Sequence, residues 1–302
     1  MFGIKLSNGY TLDYVTSSGA LGYNGNGWLH EQPLRWLGLL DQTLFTNITK
    51  TVTFKPREGE MKWYNPFHCI RPYRDGVINA VKLTNPGIEW FCEHIGPTLD
   101  RRKNAIIVSI TSESTTQLAH MARMLEDLDI VGIQINPHCP NNEYGSKRRI
   151  RSIYSSTEAV KNNTHHPIIL SLPPSIAEES VMKVGSMIEA VTINSVPYHM
   201  FNHKHLSPLK HLGGGSVSGK RAHPFTWNYA LRIMERSVIP VGFPVWDYQD
   251  LEMIPRLIER FVPDADEKIY FYTFGSVFIP YPWRPTLMVR EDMRWRKWNE
   301  RR

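Results

Sequence analysis

IVGIQIN (130–136) is apolar at nearly every position and ends on an asparagine. A short β-branched run of this kind reads as a strand buried on both faces, the habit of parallel sheets. Similar runs occur at 13–18 (DYVTSS), 44–50 (LFTNITK), 106–110 (IIVSI), 167–172 (PIILSL), 190–196 (AVTINSV), 238–244 (VIPVGFP) and 269–274 (IYFYTF). Helical patterns lie between them. In 113–128, Leu118, Met121, Ala122, Leu125 and Leu128 form one apolar stripe. The segments 175–188, 223–236 and 247–261 read alike, with Asp247 placed to cap the last. Eight strands alternating with helices predict an α/β fold, a (β/α)8 TIM barrel, with a doubly wound open sheet as the alternative. A single barrel domain is expected over 1–302. The stretch 51–85, broken by Pro56, Gly59, Pro66 and Pro72, is an insertion after the second strand. It is expected to form an ordered loop or hairpin layer near the active-site face.

The 302 residues are 41% hydrophobic and 21% charged, enough for a full core and against wholesale disorder. No apolar run reaches the ~20 residues of a membrane span. The start, MFGIKLSNGYTLDY, lacks the basic-then-apolar order of a signal peptide. Cys69, Cys92 and Cys139 are too few for a disulfide framework and show no zinc spacing, which points to a reduced, cytoplasmic protein. The net charge of +6 suits an anionic ligand or simply a solvated surface. His199, His203 and His205 lack an acidic partner, so a solvated or phosphate-facing loop is expected there rather than a metal. The tail 290–302 mixes charges around Trp295 and Trp298. It reads as a last helix with its aromatics packed on the barrel, not as a nucleic-acid or membrane contact.

In a barrel, chemistry sits at the C-terminal ends of the strands. Those ends hold Ser17, Ser18, Gly19, Lys50, Thr51, Asn136 through Asn141, Ser171, Asn194, Ser195 and Thr273. Asparagine offers a donor and an acceptor together, matching the edge of a pyrimidine or flavin ring. Cys139 lies in NPHCPN (136–141), near Lys147, Arg148 and Arg149. Positive charge favours a thiolate that can act as a general base; the alternative is an inert loop residue. Lys50 ends a strand and can hold a negative charge, or be merely solvated. HLGGGSVSGK (211–220) precedes a helix and offers amides to a phosphate.

Seven segments in order carry a family resemblance: SSGALG (17–22), TKTVTFKPREG (49–59), GVINAVKLTNPG (76–87), INPHCPNN (135–142), LSLPPS (170–175), INSV (193–196) and GGSVSGKRAHP (214–224). Together they resemble a dihydroorotate dehydrogenase of the soluble, cysteine-using branch. The resemblance implies an FMN-binding barrel, assembled as a homodimer, that oxidises dihydroorotate to orotate in pyrimidine synthesis. It assigns Asn79, Asn136, Asn141, Asn194 and Ser195 to the substrate and Cys139 to the base. It places Lys50 beside flavin and substrate, and Ser18, Gly19, Thr51, Ser218, Gly219, Gly242 and Thr273 in the cofactor shell. Four positions depart from the family pattern. Ser171 stands where a flavin-facing lysine is usual. Phe243 and Pro244 stand where a Gly-Gly turn gives its amides to the FMN phosphate. Lys82 replaces a glycine facing the substrate carboxylate, where it either pairs with that carboxylate or fills the pocket. These departures leave two alternatives: an FMN-free barrel that binds a pyrimidine-like anion or a protein partner, and a flavin enzyme with another substrate.

Overall fold

The computed structural model describes residues 2–62, 64–137, 149–262 and 269–299. Eight strands are β1 (Tyr14–Thr16), β2 (Thr46–Ile48), β3 (Ile106–Thr111), β4 (Gly132–Ile135), β5 (Ile168–Leu172), β6 (Ala190–Ile193), β7 (Val241–Val245) and β8 (Tyr270–Phe274). All pair in parallel in chain order, and β8 closes on β1 with Thr273 opposite Val15. The result is a closed (β/α)8 barrel, and the open-sheet alternative falls away. Each of the eight sequence runs overlaps one barrel strand, with β3 and β7 each extending one residue beyond it.

The helices follow the strands around the outside. They are α1 (Gln32–Trp36), α2 (Ile88–Trp90, continued as a π-turn through Phe91–Ile95), α3 (Thr115–Leu125), α4 (Arg149–Lys161), α5 (Glu179–Val184), α6 (His223–Arg236), α7 (Tyr248–Phe261) and α8 (Arg284–Asn299). Helix α3 starts where Ser114 accepts the Gln117 N–H, and buries Leu118, Met121, Ala122 and Leu125. Helix α7 starts at a capping box in which Asp247 accepts the Asp250 N–H and Asp250 accepts the Asp247 N–H. No helix among the described residues is long and apolar enough to cross a membrane.

Pairing register fixes which side chains face inward, because neighbouring strands share one parity. The barrel floor is apolar. Val15, Ile48, Ile107, Ile169 and Phe271 pack there on the N-terminal hairpin through Ile4, Leu6 and Leu12. Higher up, the inward positions become Ser109, Gln134, Ser171, Thr192 and Thr273, all buried. Bulky branched residues usually fill these layers, so a polar upper barrel marks the end where chemistry is placed. The opposite parity, including Val191, Phe243 and Val245, joins the large cluster between barrel and helices.

A separate antiparallel sheet lies outside the barrel. Its strands run Val196–Pro197, Ser216–Gly219, Gly76–Asn79 and Ile70–Pro72 in that order. Two of them belong to the 51–85 segment, which therefore supplies a hairpin. The glycine-rich stretch before α6 forms another strand of this sheet, with Ser216–Gly219 paired antiparallel to Gly76–Asn79. Helix α8 corrects the expectation for the tail. Met288, Val289 and Asp292 face the barrel, while Trp295 and Trp298 are 60% and 50% exposed. Four-residue steps put 288, 292 and 296 on one stripe, and the tryptophans fall off it.

Candidate active site at the barrel mouth

The polar strand ends are joined in one hydrogen-bonded row. Ser18, after β1, donates to the Thr49 carbonyl at 2.9 Å and shares a hydrogen with the Thr51 hydroxyl at 2.9 Å. Thr51 also meets Ser109 of β3 at 3.0 Å. Asn136, just past β4, donates from Nδ2 to Thr51 Oγ1 at 3.4 Å. Asn194, just past β6, donates to Asn136 Oδ1 at 3.1 Å, and Ser171 of β5 donates to Asn194 Oδ1 at 2.9 Å. Six strand ends, β1 to β6, thus hold one another's amides and hydroxyls in fixed orientations. Ser195 follows Asn194 and is half-buried.

One layer lower, Gln134 Nε2 donates to Thr192 Oγ1 at 2.9 Å. Gln134 Oε1 and Thr273 Oγ1 are buried and find no partner among the described residues. Buried polar atoms are nearly always satisfied, and each exception calls for an explanation. Two exceptions inside the upper barrel mark a place where a polar ring can supply the missing bonds.

Gly19 has φ +81°, and a Cβ there would sit 3.3 Å from Lys50 Cβ. The β1–α1 loop thereby lies directly on the lysine stem, which a side chain at 19 would push away. The Lys50 N–H donates to the Gly22 carbonyl at 2.8 Å. Burial pushes the Cys69 thiol up, and the Lys50 charge opposes it, so the inserted hairpin comes close to this ammonium. Asn79 ends a strand of the outer sheet, opposite Ser216 and Ile70. Ser218 donates to the Val77 carbonyl at 3.4 Å, and Gly219 packs so closely that a Cβ would lie 2.6 Å from Gly76 Cα and 2.8 Å from the Trp246 ring.

Cys139 and Asn141 lie outside the described residues. Lys82 adopts φ +51°, the region where glycine is at home. Its ammonium is 3.0 Å from Glu60 Oε1, and Glu60 also meets His68 at 3.6 Å. The lysine is thus held by the insertion. Gly242 lies within β7, below the turn; a Cβ there would meet the Phe271 ring at 2.6 Å and Thr273 Cγ2 at 2.7 Å. Phe243 points outward into the barrel–helix core and is fully buried. Strand parity is the reason.

A family model for dihydroorotate dehydrogenase matches residues 30–241, more than half of the chain. The chain belongs to the dihydroorotate dehydrogenase family. Curated relatives of that family include the catalytic subunit of dihydroorotate dehydrogenase B (NAD(+)) from Desulforamulus reducens. It is 24% identical over 267 residues, covering 87% of this chain and 80% of the relative. The corresponding subunit from Desulforudis audaxviator is 28% identical over 249 residues, covering 79% and 75%. A crystal structure of the dihydroorotate dehydrogenase of Eimeria tenella with ferulenol superposes with a TM-score of 0.59 at 13% identity, over 95% of this chain and 81% of that one. That likeness concerns the fold.

Dihydroorotate dehydrogenases are flavin enzymes, and the upper barrel here offers polar groups of the kind a flavin ring would bond. Those groups are the unpartnered Thr273 and Gln134 oxygens, both inward-facing. Sequence reasoning missed Ser109, Gln134 and Thr192. Their signal was present: each interrupts an apolar strand at an inward position, as in IIVSI, IVGIQIN and AVTINSV.

Proposed function

We propose that the chain is a dihydroorotate dehydrogenase-type oxidoreductase that converts dihydroorotate to orotate. The observation that carries this reading is the hydrogen-bonded row through Thr51, Asn136, Asn194 and Ser171. It orients neutral amide groups at the mouth before any ligand arrives, which lowers the ordering cost of holding a flat ring. Asn136 and Asn194, with Asn79 and Asn141, grip the ring edge. Cys139 takes the proton from C5. Lys50, backed by Gly19, presents positive charge beside the ring, where negative charge builds as that proton leaves. FMN, when bound, supplies the hydride acceptor. Ser18, Gly19, Thr51, Ser171 and Thr273 are the groups of this chain that would hold such a ring. The same reading takes the protein as a cytoplasmic homodimer.

The test is the visible spectrum of the purified protein before and after anaerobic dihydroorotate. Flavin bands that bleach support the reading, and Cys139→Ala should then abolish bleaching at neutral pH. Flavin bands that persist point to another substrate. A colourless protein that takes up no added flavin sinks it in favour of a ring-binding barrel without catalysis.

A further inference from the structure

Barrels of this architecture commonly seat a phosphate in the loops after strands 7 and 8, on free backbone amides near a helix start. Here the amides after β7 are already engaged. Pro244 has none. The Trp246 N–H donates to Asp250 Oδ2 at 2.6 Å, and the Asp247 N–H donates to the same oxygen at 3.0 Å. Asp250 is 1% exposed. The nearby cation is also engaged: Lys220 Nζ donates to Asp247 Oδ2 at 2.7 Å and to Gln249 Oε1 at 3.2 Å. The Pro244 carbonyl accepts the Trp227 indole N–H at 2.9 Å. Behind them His223 stacks on Trp227 at 4.4 Å, with Nδ1 3.5 Å from Asp250 Oδ1. Burial pushes this imidazole down to about 3, so it brings no charge at neutral pH. On the β8 side, Ser17 Oγ fills the space beside Gly275, 2.7 Å from where a Cβ would stand.

A phosphate brought to this turn would have to displace Asp250 from two amides and then face the Asp247 carboxylate. Like charges at such range cost more than a bare amide pair returns. We propose that Asp250 is an internal anion occupying the phosphate seat, so that this chain holds a flavin by its ring and takes riboflavin as readily as FMN. This rests on the flavin reading above.

The experiment titrates the purified full-length chain with FMN and, separately, with riboflavin, following quenching of flavin fluorescence. The expected dissociation constants agree within about threefold. FMN binding about tenfold or more tighter than riboflavin overturns the inference and leaves the flavin reading standing. Binding of neither flavin overturns both. Asp250→Asn keeps an acceptor for the two amides and removes the charge. It should tighten FMN about three- to tenfold and leave riboflavin unchanged; an unchanged FMN affinity removes Asp250 from the explanation.

Discussion

At the scale of single residues, Asn194 is the joint of the mouth. It donates to Asn136 and accepts from Ser171. Asn194→Ala leaves both neighbours short of a bond, at about 1–3 kcal/mol of stability. Orotate affinity should fall about 10- to 100-fold, read by calorimetric titration beside a thermal melt. Lys82 makes the opposite case. Its ammonium is on Glu60, so Lys82→Gly should leave orotate affinity within about threefold. The variant removes about 1 kcal/mol of backbone strain and loses a partly exposed ion pair of at most similar worth, so stability should hardly move. A large loss of orotate affinity in Lys82→Gly would mean that the ammonium leaves Glu60 for the ligand. The asparagines were legible in the sequence because they end apolar strands. The partner of Lys82 was not, because Glu60 lies 22 positions away across an insertion whose path only the fold defines.

Elements were the most legible scale. Continuous apolar runs have few structural outcomes, and all eight became barrel strands. The start of α7 was also readable, since Asp247 precedes an amphipathic stretch. Asp247→Ala should cost about 1–2 kcal/mol by removing the cap, seen as a lower melting temperature. What the sequence hid was parity: which residues of a continuous apolar strand turn inward depends on register. Phe243 illustrates it, as does the α7 start itself, where a second carboxylate is buried. Burial pushes Asp250 from 3.8 up to about 6. Between those values the native state holds a proton that the unfolded chain has lost, so this residue's contribution to stability falls as pH rises. His223 works in the other direction: its pKa drops from 6.5 to about 3, and stability rises with pH across that window. The two offset each other in wild type. In Asp250→Asn only the histidine remains. The melting temperature of the variant, relative to wild type, should therefore climb between pH 4 and 6 and level off above. A difference that stays flat with pH would refute the buried charge.

At the scale of the whole molecule, the barrel is clasped across its seam. The Tyr14 hydroxyl of β1 donates to Asp292 of α8 at 2.6 Å, Arg296 donates to the same carboxylate oxygen at 2.7 Å, and the Arg296 guanidinium stacks 3.7 Å over the Phe2 ring. Arg296→Ala strands a nearly buried Asp292 and uncovers Phe2; a loss of about 3 kcal/mol is expected in denaturant unfolding. This clasp was invisible in the sequence because its partners are 278 positions apart. Closure of β8 on β1 also has a consequence for biosynthesis. β1 leaves the ribosome early and β8 late, so through most of translation β1 presents an unpaired edge while its partner is still unmade. A nascent chain released before Tyr270 never acquires that partner. Truncated products of this message are accordingly destined for chaperones and proteases, whatever the state of the residues at the mouth.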